Sequence, residues 1–324
     1  MWQVVQLMHK IISRIKEGNL KLAVATIKQT QEASLRVAIL NEIVTYQETQ
    51  ESSLDPSFLA ELKAVVDTIE DAHFTLRGLC QIARLYQGTA DEVIMQALFV
   101  EAIDLAHGIS ESPLRVSDLA YVAKIQLGMD LRTQAEDTMY QAVREADAFH
   151  PDEVSDYSST STAIADLAKV YASSGKMDDS LALLDRINDA YQRASVLSEI
   201  AADCMSAGHH DRALRVFDVA VEVAANFEDA YLSTIALQEI AEAQTSFEDG
   251  SAAKDTYVQA IDNAMRIEDS FLQTTALSCI AESQAETDMS AAEKTTAMID
   301  DKDVRLSTLE LIEKHGLEDK TIEI

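Results

Sequence analysis

Seven histidines are the residues best suited to proton transfer or metal ligation in this chain of 324 residues: His9, His73, His107, His150, His209, His210 and His315. They are scattered, and no HExxH occurs. His209-His210 adjoins Asp211 between two helical stretches. A metal site needs further ligands at fixed spacing, and none follows nearby, so the pair reads as a solvated turn. The three cysteines, Cys80, Cys204 and Cys279, are far apart and form no CxxC. This argues for a reducing compartment and against a disulfide framework or a zinc site. Each thiol falls within a helical stretch, where free Cys acts as a small hydrophobe. Carboxylates are abundant; Glu239/Glu242 and Glu282/Glu286 each share a helix face. A working acid–base pair needs a pocket that shifts its pKa, so these read as solvated faces. GxxxxGK[ST], GxGxxG and GxSxG are all absent, which removes the common phosphate-cradling loops and the nucleophile elbow. No catalytic residue, metal or cofactor is expected, and the chain reads as non-enzymatic.

The elements that would position any site are helices. Ala, Leu, Glu, Asp and Ile dominate, while Gly numbers 9 and Pro 3, too few for the turns of a β-protein. Three blocks start at 189 (DAYQRASVLSEIA), 229 (DAYLSTIALQEIA) and 269 (DSFLQTTALSCIA), 40 residues apart. Each carries Leu followed three and four residues later by Ile-Ala: Leu197/Ile200/Ala201, Leu237/Ile240/Ala241 and Leu277/Ile280/Ala281. That spacing makes one helical face. A second helix follows with a small residue, an aromatic four on, and Ala at seven and eleven: Ala213/Phe217/Ala220/Ala224 and Ala253/Tyr257/Ala260/Ala264. Upstream copies are Leu79/Ile82/Ala83 with Met95/Phe99, Leu119/Val122/Ala123 with Ala135/Met139, and Ile164/Leu167/Ala168 with Ser180/Leu184. Leu40/Ile43 and Leu309/Ile312 mark a first and a last copy. Small Ala lets helices cross closely, and Leu, Ile and Phe fill the space beside them. Asp71, Asp189, Asp229 and Asp269 stand where first helices start and are expected to cap them. Gly18, Gly88, Gly128, Gly175 and Gly208 stand at or near first-helix ends, where a left-handed residue is expected. No such pair buries its faces alone, so stacked neighbours must make the core.

The series Leu197, Ile200, Ala201, Gly208, Ala213, Phe217 and Ala220 resembles the tetratricopeptide-repeat family. The family repeat is 34 residues; most units here run about 39–45, with shorter ones near Asp156 and Asp269, and the family's Trp-first signature and closing Pro are missing. The resemblance covers nearly the whole chain. It implies an all-α fold: a right-handed α-α superhelix, a solenoid of about eight helix-turn-helix TPR-like repeats with long second helices. It also implies a protein-protein interaction scaffold that binds an extended peptide segment in a concave groove lined by first helices. The residue after the small core residue would face that groove, which gives Thr45, Arg84, Lys124, Lys169, Ala202, Glu242 and Glu282. Arg77 adds to the basic side, and Gln238 and Glu239 to the acidic side. Three consecutive units thus present a cation. Either Arg84, Lys124 and Lys169 hold an acidic segment or a C-terminal carboxylate, or they pair with Glu on adjacent repeats. Chaperone-binding members of the family clamp a carboxylate with Lys and Asn; the matching pairs here, Cys80/Arg84, Ala120/Lys124 and Ala165/Lys169, lack the Asn, so chaperone tails are not expected.

Charge limits the partners. The net charge is −30, with 21 acidic and 13 basic residues in 1–150 against 35 and 13 in 151–324. Such a surface repels nucleic acid and anionic membrane; it reads as a solvated acidic face that keeps the array soluble, with a halophilic setting or a basic partner as the alternatives, and the protein or peptide partner is what the resemblance implies. No stretch approaches about 20 apolar residues. Lys10, Arg14 and Lys16 follow the apolar part of the N-terminus instead of preceding it, unlike a secretory signal. A cytoplasmic location is expected. The reading is a single array over 1–324, interrupted at 50–57 and 147–163 by polar segments with Pro56 and Pro151. The second interruption is either an ordinary long turn or a bend between 1–150 and the more acidic 151–324. The last copy keeps an apolar face of Leu306, Leu309, Leu311 and Ile312, where a terminal repeat normally needs a polar cap. A homo-oligomer through that repeat, a structural or self-associating subunit, is the alternative function.

Overall fold

Alternating stretches with Ala at the crossing points and carboxylate caps at their starts fold here into paired helices. The computed structural model describes residues 20–50, 56–87, 91–149, 159–245 and 250–322, together with Ser13 and Glu17. Those residues form sixteen helices and no strand. They are α1 (Leu20–Gln29), α2 (Ala33–Glu48), α3 (Pro56–Val66), α4 (Ala72–Leu85), α5 (Glu92–Gly108), α6 (Ser112–Gly128), α7 (Arg132–Ala146), α8 (Ser159–Ser173) and α9 (Met177–Leu184). They continue with α10 (Ala190–Ser206), α11 (His210–Ala225), α12 (Ala230–Thr245), α13 (Gly250–Ala264), α14 (Ser270–Ala285), α15 (Met289–Thr296) and α16 (Lys302–Ile322). Two compact units result, Met1–Arg186 and Ile187–Ile324. Residues 51–55 and 150–158, the centres of the two polar interruptions, lie outside the described residues, as do Gly18 and Gly88.

Within each unit the packing is sequential. First helices stack on first helices: α2 on α4, α4 on α6 and α6 on α8 in the first unit, α10 on α12, α12 on α14 and α14 on α16 in the second. Each first helix also packs on its own second helix, as α4 on α5, α6 on α7, α10 on α11 and α12 on α13. The skeleton read from the sequence makes the core: Leu79, Ile82, Ala83, Leu119, Ala123, Leu167, Ala168, Ile200, Ala201, Ile240 and Ala241 are all buried, and so are Phe99, Met139, Phe217 and Tyr257 of the second helices. Second helices are not uniformly long, since α9 and α15 have only 8 residues each.

The caps are where the sequence places them. Asp71 accepts from Phe74 N, Asp189 from Gln192 N, Asp229 from Tyr231 N and Leu232 N, and Asp269 from Phe271 N and Leu272 N. Gly175 and Gly208 take left-handed φ values of 90° and 77°. At the α6 end that role falls to Asp130 (φ 59°), two residues past Gly128. Asp tolerates this conformation better than most side chains.

Two recurring devices carried no signal in the apolar skeleton. One joins a first helix to its second helix inside the core: Thr138 donates to Gln126 (2.9 Å), Thr256 to Gln244 (2.8 Å) and Thr295 to Gln284 (2.7 Å). Both partners are buried, so each satisfies the other's desolvated polar atom. The same positions in α10 and α11 hold Cys204 and Val216, both buried, an apolar substitute. The other device locks the chain between successive helix pairs: a side chain in the second turn of a first helix donates to the carbonyl six residues back. Arg36 reaches Thr30 O at 2.5 Å, Thr75 reaches Ile69 O at 2.9 Å, Arg115 reaches Ile109 O at 2.6 Å and Arg305 reaches Ile299 O at 2.7 Å. Three arginines are therefore committed to the backbone.

Candidate functional site

All seven expected groove residues stand on first helices: Arg77 and Arg84 on α4, Lys124 on α6, Lys169 on α8, Gln238 and Glu242 on α12, and Glu282 on α14. The small core residue before each register position, such as Ala83, Ala123, Ala168, Ala241 or Ala281, is buried. The register residue itself reaches solvent: Lys124 and Glu242 are exposed, and Arg84, Lys169 and Glu282 are half-buried.

In the first unit this face is largely engaged with itself. Asp118 of α6 is fully buried, at a position held by Gly78 in α4 and Ala163 in α8. Its carboxylate accepts from His73 Nδ1 at 2.8 Å and from Arg77 Nε at 3.3 Å, both on α4. The Arg77 guanidinium also lies 4.4 Å from the Tyr121 ring centroid, a cation–π contact. Gln81 donates to the Tyr121 hydroxyl at 2.6 Å, and Arg84 donates to Gln81 Oε1 at 2.9 Å. Arg84 further reaches Glu48 of α2 at 2.5 Å. A continuous polar network thus ties α2, α4 and α6 together. Separately, Ser117 donates to Asp166 of α8 at 2.9 Å. Burial raises the Asp118 carboxyl above its ordinary range, and His73 and Arg77 oppose the rise. Burial also raises the Tyr121 hydroxyl. Lys124 has no charge partner among the described residues.

The second unit is arranged differently. Neither α12 nor α14 contains a Lys or Arg, and α10 contains only Arg193. The hydroxyl of Tyr191 on α10 donates to both oxygens of Glu239 on α12, at 2.8 and 2.9 Å. Gln238 donates to Glu242 at 3.0 Å and to Ser283 Oγ at 2.9 Å, and Ser283 also bonds Glu242. Ser278 donates to Glu282 at 3.3 Å. These donors are neutral hydroxyl and amide groups. Between α10 and α12 lies an open cleft of about 190 Å³. Ser195, Ser198, Glu199 and Ala202 form one wall; Ala236, Glu239, Ile240 and Ala243 form the other.

Burial raises the pKa of all three thiols, Cys80, Cys204 and Cys279, which keeps them protonated and poorly nucleophilic. His209 and His210 are exposed at the start of α11. No group of three or more His, Cys, Asp or Glu among the described residues could hold a metal ion. No helix among them is long and apolar enough to cross a membrane. The apolar skeleton gave no sign of the His73–Asp118–Arg77 cluster. A carboxylate at the position where α4 and α8 carry Gly78 and Ala163 was the available signal.

No protein-family model matches the chain, and no curated protein matches it. Among solved structures, the crystal structure of Ton1535 from Thermococcus onnurineus NA1 is similar, with a TM-score of 0.50 and 15% sequence identity over 94% of this chain and 98% of that one. At that identity the likeness is one of fold alone.

Proposed function

We propose that this chain is a non-enzymatic interaction scaffold of the tetratricopeptide-like kind. In this reading the helix pairs wind as a right-handed solenoid, and the first helices bind an extended segment of a protein partner in the cytoplasm. One observation carries the reading: within each unit, solvent-reaching polar side chains stand on stacked first helices beside a closed apolar core. A surface of that kind recognises a chain lying across it through many weak contacts. Of the three cations expected to hold an acidic segment, Arg84 is engaged by Glu48 and Gln81. The first helices α12 and α14 of the second unit carry no Lys or Arg, and the reading places its weight there.

Fluorescence anisotropy with labelled 12-residue peptide pools of basic, acidic and neutral composition tests this. At least one pool should bind the full chain saturably, with affinity that falls as salt rises. If no pool binds at about 1 mM, where only −4 kcal/mol is needed, the scaffold reading is wrong.

The last helix favours a second reading. Leu306 and Leu311 are 49% and 45% exposed beside the terminal cluster of Ala285, Ala292 and Ile312. A second copy docking there would make a homo-oligomer, disrupted by Leu306→Lys with Leu311→Lys. A monomer in light scattering at high protein concentration contradicts it.

A further inference from the structure

Resting on that scaffold reading, we propose that the cleft between α10 and α12 is a pocket for one Arg or Lys side chain, so that the segment bound is basic. The size of the cleft sets the scale. About 190 Å³ holds one long side chain, whereas small-molecule pockets run ~300–1,000 Å³. The walls set the chemistry of the stem. Ala202, Ala236, Ile240 and Ala243 offer methyl and methylene surface, which suits the apolar stem of a Lys or Arg whose charged head stays at the rim.

The rim sets the chemistry of the head. Glu199 and Glu239 stand on opposite walls. The Glu239 carboxylate is already oriented, because the Tyr191 hydroxyl spans both its oxygens. A carboxylate has about four lone-pair sites, so acceptor capacity remains for a guanidinium. The planar fork of Arg can meet two carboxylate oxygens at once, which Lys cannot, so Arg is preferred. Competing occupants fit worse. An acidic side chain would be repelled, and a Leu would desolvate the two carboxylates with no return.

The surrounding field favours the same occupant. Residues 187–324 hold 28 acidic and 10 basic residues, net −18. Of the helices packed here, α12 and α14 supply no cation and α10 only Arg193. Charge complementarity therefore selects a basic segment, and the field draws it in before contact.

The test uses the full chain and four labelled nine-residue peptides with identical Ala/Ser flanks and Arg, Lys, Leu or Glu at the centre, read by anisotropy. The Arg peptide should bind best, at least about tenfold tighter than the Leu peptide. Glu199→Gln with Glu239→Gln should remove about tenfold of the Arg affinity while leaving the melting temperature unchanged. Ala202→Leu, which fills the cleft, should weaken the Arg and Lys peptides, and Lys124→Glu in the first unit should change nothing. Equal binding of all four peptides, or parental Arg affinity in the double Gln variant, would overturn the pocket and leave the scaffold reading standing. If these peptides and the 12-residue pools all fail to bind, the pocket and the scaffold reading fail together.

Discussion

The two units carry the same repeat and spend the same register differently. In the first, the face of α4 and α6 is tied up by a buried carboxylate, an Asp118 that holds His73 and Arg77, and by the Arg84–Glu48 pair. In the second, neutral hydroxyl and amide donors reach the carboxylates of Glu239, Glu242 and Glu282, and α12 and α14 carry no Lys or Arg. A helix-pair scaffold therefore does not fix what its inner face does. One residue choice per repeat decides whether a charge stabilises the neighbouring repeat or stays available to a partner.

The sharpest way to break this comparison is Asp118→Ala. It removes the buried acceptor shared by His73 and Arg77 and should lower stability by about 1.5–3 kcal/mol in urea unfolding, the range for hydrogen bonds to charged groups. Glu239→Gln in the second unit should leave the unfolding curve where it was. If the two variants behave alike, the contrast between an engaged face and an open one is wrong.

Thr256→Val comes next. It leaves buried Gln244 unsatisfied and should cost about 1–3 kcal/mol. Adding Gln244→Cys copies the apolar Cys204/Val216 pair and should recover most of the loss. Failure to recover would mean that the hydrogen bond, and not mere satisfaction, is required.

A pH series separates the units further. Burial raises the Asp118 carboxyl, so the native state takes up a proton more readily than the unfolded chain. Its contribution to stability is then largest below about pH 4 and declines as pH rises toward the raised native value. Asp118→Asn should remove that decline from the stability–pH profile, whereas Glu239→Gln should leave the profile as it is.

The smallest effect belongs to Glu48→Gln. The pair is partly exposed, so stability should fall by less than about 1 kcal/mol. The freed Arg84 should now bind a labelled Glu-rich peptide more tightly, in proportion to how far Glu48 occupied it.

Much of the fold was legible because its signals are local. Leu/Ile-Ala at 3–4 spacing, aromatics such as Phe217 and caps such as Asp189 each act through neighbours in sequence, and a period of about 40 residues repeats them. The site was less legible, because its state depends on pairs 36 to 48 residues apart. Arg84 looked like a groove cation until Glu48 of the preceding repeat met it. Arg77 did so until Asp118 met it. The Gln244–Thr256 bond escaped for a related reason, since polar residues inside an apolar helical face look like breaks in the pattern, not like partners.

Hydrogen exchange on the full chain, with and without the Arg-centred peptide, tests the central claim most directly. Slowed exchange at α10 and α12, with α4 and α6 unchanged, is the predicted result. Protection at α4 and α6 instead, or only on second helices such as α11 and α13, would contradict it.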